Sequence, residues 1–286
     1  MTFTLGIVGG SGLYVMDGLK NVREVNVDTP YGAPSDALVT GRLGDTDLVF
    51  LSRHGRGHRL APHEINYRAN LCALKKLGVT HLVSVSAVGS MKEAIEPGHL
   101  VVVDQYIDLT KKRSSTFFDQ GIVGHVPFSD PVCPDLGAAL ARAVDTAGGT
   151  VHRGGTYVCI EGPQFSTRAE SLVYRSWGVS VIGMTAMPEA KLAREAGIPH
   201  ATLALATDYD CWHHSEEAVT VDAVLAVVRK NVDLAKRVVT ALSKDLPDPA
   251  KSPASTALVG AVMTADDAVT IEARARLAWL LPKEHQ

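Results

Sequence analysis

The sequence predicts an α/β fold, in which a single domain has a mixed, mostly parallel central sheet flanked by helices. Two observations predict it. Short apolar runs rich in β-branched residues alternate with amphipathic segments of helical period, and this alternation is typical of strand–helix–strand units. No internal repeat or low-complexity linker divides the 286 residues, a length that suits one large domain. We therefore expect one domain over residues 1–286, with a loop near 246–258 and a C-terminal helix.

The individual elements follow in chain order from these patterns. Strands are predicted at the short apolar runs, residues 4–8, 47–51, 81–86, 100–103, 156–160, 180–182 and 201–206. Helices are predicted where apolar residues recur at helical spacing, at residues 66–77, 134–147, 167–177, 188–196 and 221–242. Residues 246–255 are rich in Pro, Ser and Ala without periodicity, which predicts a loop before a last helical stretch near 265–281.

Composition and charge exclude several classes of function. The formal net charge is −3, whereas nucleic acid and anionic membranes call for a basic patch. No apolar run reaches the roughly 18 residues of a membrane span, and the first residues lack the positive charge of a signal peptide. The four cysteines form no CxxC pair, so buried, reduced thiols are favoured over disulfides or zinc ligands. These features predict a soluble, cytoplasmic protein.

Two predicted strand ends carry groups that suit an anion. The first strand runs into the segment GGSGL at 9–13, where backbone N–H groups and the Ser11 hydroxyl can converge; a tight structural turn is the alternative. The second strand ends at Arg53 and His54, where the guanidinium can grip an oxyanion bidentately and the imidazole can donate beside it; surface charge on a turn is the alternative. No zinc motif is formed by the spacing of the nearby histidines, His54, His58 and His63.

Later strand ends carry small residues, hydroxyls and an aromatic ring. The segment SAVGS at 86–90 ends a very apolar strand, and small residues at such a place commonly mark the close approach of a ligand; a plain turn is the alternative. In the segment EGPQFST at 161–167, Thr167 is a plausible N-cap that forms a capping box with Glu170, which leaves Phe165 to stack on a flat ligand. Another predicted strand ends in Gly183-Met184-Thr185.

Two carboxylates, Asp208 and Asp210, follow the predicted strand at 201–206. In an extended segment, alternation places both on one side of the chain, with Tyr209 opposite. Two close carboxylates in a dry pocket would raise the pKa of at least one of them, which gives an acid that is still protonated near neutral pH. Helix capping is the alternative role for these residues.

Taken together, these segments resemble one family. The motifs GIVGGSGL, SRHGRGH, NYRANLCALKKLG, SAVGSM, IEGPQFSTRAES, GMTAMPEA and ATDYDCW occur in the order and spacing of the trimeric purine nucleoside phosphorylases, and more narrowly of their methylthioadenosine phosphorylase branch. The similarity runs from about residue 4 to 242 and returns at 280–282. It implies a purine nucleoside phosphorylase-like fold and a pentosyltransferase of purine and methionine salvage, which cleaves an adenine nucleoside with inorganic phosphate.

The resemblance also implies roles for individual residues. Phosphate would be bound by Ser11, Arg53, His54, Ser86, Thr185 and the backbone N–H of Ala87. The nucleoside would contact Met184 at the ribose, Phe165 and Ser166 at the base, and an apolar wall of Val221, Val224 and Leu225 at the 5′-methylthio group. His125 and Leu280 would reach into the site of a neighbouring subunit, which implies a homotrimer. Phosphate is then a co-substrate, and no metal or organic cofactor is implied.

In this family, the two aspartates would face N7 and the 6-amino edge of the purine. A protonated Asp208 is then the general acid that neutralises the departing base, and Asp210 accepts a hydrogen bond from the 6-amino group. Three other functions remain open at this stage: a 6-oxopurine nucleoside or methylthioinosine phosphorylase, a hydrolytic nucleosidase, and a non-catalytic nucleoside-binding protein. Base preference, phosphate dependence and turnover separate them.

Overall fold

The computed structural model describes residues 3–10, 12, 13, 15–213 and 221–281, and for residues 221–230 it describes the backbone alone. In this part of the chain one sheet contains eleven strands: β1 (Thr4–Gly9), β2 (Lys20–Val25), β3 (Leu38–Leu43), β4 (Thr46–Ser52), β5 (His81–Ser90), β6 (Leu100–Val102), β7 (Gln105–Asp108), β8 (Val151–Arg153), β9 (Thr156–Cys159), β10 (Val181–Gly183) and β11 (His200–Asp208). The helices are α1 (Tyr67–Lys76), α2 (Pro134–Thr146), α3 (Arg168–Ser176), α4 (Ala186–Glu195), α5 (Val221–Leu242) and α6 (Ile271–Leu277).

Strand β5 is the point at which the sheet divides. It pairs in parallel with β1 and β11, and its last residues pair antiparallel with β10. Beyond β11 the sheet continues through β6 to β8, and beyond β10 through β9 to β7. On the other side of β5 the order is β1, β4, β3 and β2. The fold is therefore the predicted one, a mixed and mostly parallel sheet in a single domain.

Helices cover both faces of this sheet because successive side chains of a strand point to opposite faces. Ile7 and Phe50 pack in one hydrophobic cluster with residues of α2 and α5. Val8 and Leu51, their neighbours in sequence, pack in a second cluster with residues of α1, α4 and α6. Burial on both faces explains why these strands read as apolar runs without alternation.

Four strands were not expected from the sequence. β2 is exposed along nearly its whole length and carries charged residues, and β3, β7 and β8 are short or only partly buried. The plain turn that remained an alternative at 86–90 is absent, because β5 continues to Ser90 by pairing first with β11 and then with β10. The region predicted as a loop includes a short 3-10 helix at Pro249–Lys251, and within 265–281 the α-helix is α6 alone, preceded by a 3-10 turn at Asp266–Ala268. In the described part of the chain, no helix is long and apolar enough to cross a membrane.

Candidate active site

Arg53, directly after β4, is buried in an ion pair rather than held open at the sheet edge. Its Nε and Nη2 donate to the two carboxylate oxygens of Glu189 on α4, at 2.5 and 3.0 Å. Nη2 also donates to the carbonyl of Val8, and Nη1 to that of Val85. Burial disfavours the charged guanidinium, but the adjacent Glu189 outweighs it and raises the pKa of Arg53. Of the five N–H groups of an Arg, one on Nη1 is left, so Arg53 has no bidentate pair to offer an anion.

The pair is held by a chain of buried polar groups from two central strands. The Ser84 hydroxyl on β5 donates to Glu189 Oε2 at 2.6 Å, so it accepts from His200 Nε2, 2.9 Å away on β11. Burial lowers the pKa of His200 to about 4, which keeps this imidazole neutral. Sequence spacing could not reveal the chain, because Arg53 and Glu189 are 136 positions apart.

His54 has the opposite hydrogen-bonding character to the one expected. Its Nδ1 lies 2.8 Å from the carbonyl oxygen of Leu60, and a carbonyl only accepts, so Nδ1 carries the hydrogen. Burial lowers the pKa of His54 to about 4, and the ring stacks on that of His58 with centroids 4.2 Å apart. The other nitrogen, Nε2, is therefore an acceptor. His54 suits a protonated oxygen of an anion, and not the bare oxygen that a donor would bind.

Ser86 and Thr185 are brought together by the sheet. Because β10 runs antiparallel to the end of β5, the residues after Gly183 return alongside β5. The Ser86 and Thr185 hydroxyl oxygens lie 3.1 Å apart, and the Tyr157 hydroxyl lies 3.2 Å from Ser86 Oγ. Ser86 directly follows Val85, whose carbonyl holds Arg53. Arg53, Ser86 and Thr185 thus form one group of donors, which we call the hydroxyl–guanidinium cluster.

Asp208 and Asp210 meet beside Gly89, three residues further along β5. A Cβ on Gly89 would lie 3.0 Å from Asp208 Oδ1 and 3.2 Å from the Cβ of Asp210, so a side chain here would push the two aspartates away by a few tenths of an ångström. The segment is not extended as expected. Asp208 ends β11, and Asp210 begins a 3-10 turn with φ at +51°. The two residues are joined by a hydrogen bond of 2.8 Å from the backbone N–H of Asp210 to Asp208 Oδ1.

The two carboxyl groups have different surroundings. Asp208 Oδ2 lies 2.7 Å from the hydroxyl of Thr207, which also lies 3.2 Å from the carbonyl of Val88. A hydroxyl has one hydrogen, so donation to Val88 leaves the Thr207 oxygen able to accept a hydrogen bond from a protonated Asp208. Asp210 is buried and accepts from the Ser171 hydroxyl. Burial raises the pKa of Asp210, against the Ser171 hydrogen bond, which lowers it.

Residues of the segment 161–167 border this pair of carboxyl groups. The Sγ of Cys211 contacts the carbonyl of Ser166 at 3.4 Å, which places Ser166 next to Asp210. The Ser166 hydroxyl is buried without a hydrogen-bond partner among the described residues. Phe165 is exposed, and the capping box of Thr167 and Glu170 is formed as predicted.

Arg113 is a residue of the site that the sequence did not single out. Its buried guanidinium donates to the carbonyls of Met184, Met187 and Glu161 at 2.6–2.7 Å and to the Glu161 carboxylate at 2.7 Å. These groups follow β9 and β10, so Arg113 fixes the two strand ends against each other. Met184 packs at the same place, since a Cβ on Gly162 would lie 2.5 Å from its sulfur. In the sequence, Arg113 stands in a short basic run before two serines, a pattern that does not predict a structural role between two strand ends.

His125 and Leu280 are not brought into this group. His125 is exposed, and its backbone N–H donates to the carbonyl of Ala261. Leu280 is buried in the core of its own chain, so a reach into a neighbouring subunit would require it to leave that contact. Ser11 and the side chains of Val221, Val224 and Leu225 lie outside the described residues. Among the residues described, no group of three or more His, Cys, Asp or Glu side chains could hold a metal ion.

Comparison with known proteins agrees with this arrangement. The sequence model of the phosphorylase superfamily matches residues 4–244. The chain is 56% identical to the S-methyl-5′-thioadenosine phosphorylase of Geobacter sulfurreducens over 97% of either chain. It is similar to the crystal structure of a methylthioadenosine phosphorylase from an antarctic soil metagenomic library, with a TM-score of 0.93, 52% identity and coverage of 98% of this chain and 99% of that one. The Schistosoma mansoni methylthioadenosine phosphorylase in complex with adenine gives a TM-score of 0.87 and 36% identity, over 92% of this chain and 99% of that one. The chain therefore belongs to the phosphorylase superfamily and, within it, to the family of the S-methyl-5′-thioadenosine phosphorylases.

Proposed function

We propose that the chain catalyses the phosphorolysis of S-methyl-5′-thioadenosine to adenine and 5-methylthioribose-1-phosphate, and of adenosine to adenine and ribose-1-phosphate. The observation that carries the proposal is that a group of anion-binding donors and a pair of carboxyl groups lie at different positions along the same strand, β5. The hydroxyl–guanidinium cluster lies at Ser86, and the two carboxyl groups lie at Gly89. Three residues of a strand span about 10 Å, an interval that a pentose ring with its contacts fills. Phosphate at one end and purine at the other then flank C1′ of the sugar.

The chemistry follows from these positions. An oxygen of phosphate forms a bond to C1′ while the C1′–N9 bond breaks and its electron pair passes to the purine. Protonation of N7 by Asp208 neutralises the departing base, and Thr207 can accept a hydrogen bond from the protonated Asp208 before reaction by turning its own hydroxyl to Val88. The anionic phosphate lies on the side of the sugar at which positive charge develops. Phosphate is the co-substrate, and the proposal requires no metal or organic cofactor.

A second candidate is phosphorolysis of a 6-oxopurine nucleoside, such as S-methyl-5′-thioinosine. The observation in its favour is the raised pKa of the buried Asp210, because a protonated carboxyl donates to a 6-carbonyl group where an ionised one accepts from a 6-amino group. Adenine in the similar Schistosoma mansoni structure supports the 6-amino assignment.

Product analysis with and without phosphate tests the proposal. We expect adenine release from S-methyl-5′-thioadenosine to stop when phosphate is removed and to return when it is added, with 5-methylthioribose-1-phosphate as the second product. Asp208→Asn is expected to lower kcat by about 10²–10⁴-fold, since an amide N–H can donate a hydrogen bond to N7 but is too weakly acidic to transfer its proton. Equal release without phosphate would identify a nucleosidase, and the absence of any turnover would leave a binding protein.

Methylthioadenosine and adenosine differ at the 5′ position of the ribose, so the pocket around that position determines which of them is the better substrate. If Val221, Val224 and Leu225 form an apolar wall, methylthioadenosine gains the contribution of an apolar group, worth about 1–3 kcal/mol per methylene-sized contact. We therefore expect a higher kcat/KM for methylthioadenosine than for adenosine. A clear preference for adenosine would contradict the assignment of the wall.

We also propose that the protein is a homotrimer. Two separate groups of exposed apolar side chains support it: Leu172, Val173 and Trp177 on and after α3, and Val123, Val259 and Met263 near His125. A ring of three subunits uses two different surfaces of each chain, which meet head to tail. The second surface includes the segment around His125, the residue that the family resemblance places in the site of a neighbouring subunit.

A further inference from the structure

Ser171 is the one fully buried side chain of α3. The rest of that helix is exposed or half-buried, and its apolar residues Leu172 and Val173 face outward. Besides Ser171, α3 contacts the core through the half-buried Tyr174, which packs against the hydrophobic cluster that contains Trp212. The Ser171 hydroxyl donates to Asp210 Oδ2, so the contact of α3 with the 3-10 turn at Asp210–Trp212 includes a hydrogen bond to a carboxyl group of the site.

The hydroxyl of a Ser inside a helix ordinarily donates to the carbonyl of the residue four positions earlier. In α3 the Ser171 hydroxyl is directed to Asp210 Oδ2 instead. Asp210 is held from its backbone as well, through its N–H to Asp208 and its positive φ. The Asp210 side chain thus has a fixed position and a dedicated donor.

We propose that Ser171 is a positioning residue that keeps the Asp210 carboxyl group a hydrogen-bond acceptor, and thereby sets the preference of the site for a 6-amino purine. The inference rests on the proposed function, in which Asp210 faces the 6-position of the base. A donor aimed at a carboxyl oxygen stabilises the ionised form, and an ionised carboxylate accepts from an amino group but cannot donate to a carbonyl.

Other groups near Asp210 affect its ionisation, some favouring the neutral form and some the ionised form. Asp208 faces it from the end of β11 and accepts the Asp210 backbone N–H. Burial first, and Asp210 in addition, raise the pKa values of Tyr174 of α3 and of the Cys211 thiol. Arg175 stacks over Trp212, 3.6 Å from the ring centroid, and pairs with the exposed Glu93. Burial favours the neutral form of Asp210, and the Ser171 hydroxyl, followed by the backbone N–H of Cys211, opposes it. Removal of Ser171 is therefore expected to leave Asp210 protonated at a higher pH.

The test compares wild type with Ser171→Ala, using S-methyl-5′-thioadenosine and S-methyl-5′-thioinosine with phosphate from pH 6 to 8.5. At pH 7 we expect the ratio of the two kcat/KM values to fall by about tenfold in the variant, the change that corresponds to one pKa unit. The ratio should recover at higher pH, as Asp210 ionises. Ser171→Cys, with a weaker donor in the same place, should give an intermediate ratio. Ser176→Ala is the matched control, since that exposed hydroxyl of α3 donates to the carbonyl of Val173 and its loss should leave the ratio unchanged.

A second measurement does not depend on turnover. Carboxyl carbon NMR of the unliganded protein should show a higher pKa for Asp210 in Ser171→Ala than in wild type. An unchanged pKa, or an active variant with the wild-type ratio at every pH, would overturn the inference. If wild type does not cleave methylthioadenosine, the proposed function fails, and the NMR titration still decides whether Ser171 governs the ionisation of Asp210.

Discussion

Arg53 and Glu189 form a buried ion pair whose members cannot be removed one at a time without cost. Their side chains are 3% and 1% exposed, so Glu189→Gln leaves a guanidinium without its counter-charge in the core. We expect each of Glu189→Gln and Arg53→Met to lower the free energy of unfolding by about 3–5 kcal/mol, and the double variant to lose less than the sum. Urea denaturation of the four proteins measures this. Additive losses would show that the two charges are not coupled.

If Arg53 binds phosphate as proposed, the same pair limits the contribution of its guanidinium to that binding. One N–H remains on Nη1, and a single hydrogen bond to a charged group is worth about 1.5–3 kcal/mol. The sequence indicated the residue and its strand end, but not its partner. A bidentate contact with phosphate would have needed the two N–H groups that Glu189 occupies, and no spacing pattern shows that a residue 136 positions away will take them.

At the scale of the secondary structure elements, Arg113 joins the ends of β9 and β10 through their carbonyls. A Lys presents its donors from one point and cannot span carbonyls that a planar guanidinium reaches together. We expect Arg113→Lys to raise the KM for methylthioadenosine by about tenfold or more, the equivalent of one charge-assisted hydrogen bond. Arg142→Lys, at an exposed pair with Asp245, is the control and should keep the wild-type KM. A lower Tm with an unchanged KM would limit Arg113 to a role in stability.

Glu195, at the end of α4, makes the anchoring of the 116–119 segment depend on pH. Burial raises the pKa of Glu195 to about 7, against the hydrogen bonds from the Phe117 N–H and the Thr116 hydroxyl. Between the unfolded value of 4.5 and about 7, the folded state holds a proton that the unfolded state has lost. The free energy of unfolding therefore falls as pH rises through this range, by up to about 3 kcal/mol.

Glu195→Gln removes this titration. The difference in unfolding free energy between the variant and wild type should therefore change in favour of the variant between pH 4.5 and 7, as measured by denaturant titrations at several pH values. Parallel stability curves for the two proteins would contradict the assignment to Glu195.

How well an element could be predicted depended on its burial. Strands such as β1, β4 and β11 are covered on both faces and are therefore recognisable in the sequence as apolar runs. β2 has the sequence KNVREV and is exposed. It forms because it pairs with the edge of β3, and the residues of β2 alone do not indicate that partner. At β5 the serines and glycine of 86–90 favour a turn locally, yet pairing with β11 and then with β10 carries the strand through them. The sequence therefore indicated which strand ends carry the candidate site residues. It could not indicate which of those residues touch, because their contacts depend on how β5 pairs with β10.

At the scale of the whole molecule, the apolar surface after α3 is the feature to test. Trp177 is 50% exposed, and in a ring of three subunits each copy would bury it against a neighbour. We expect Trp177→Glu to convert a trimer into monomers, because burying an unpaired carboxylate at such a contact is costly. Light scattering after size-exclusion chromatography reports the mass. Val22→Glu, on the exposed edge strand β2, should leave the mass unchanged; a trimeric Trp177→Glu would place the interface elsewhere.

If phosphate binds beside Arg53 as proposed, Glu189 also affects which stage of the reaction the enzyme binds most tightly. A guanidinium without a counter-charge would cancel part of the charge of phosphate as soon as it bound and would stabilise the ground state. Because Glu189 already balances Arg53, phosphate keeps its charge on arrival. The cation that develops at C1′ is then the charge that offsets it, so the attraction grows as the C1′–N9 bond stretches. We expect this arrangement to favour the transition state over the bound substrates, at the expense of phosphate affinity and to the benefit of kcat.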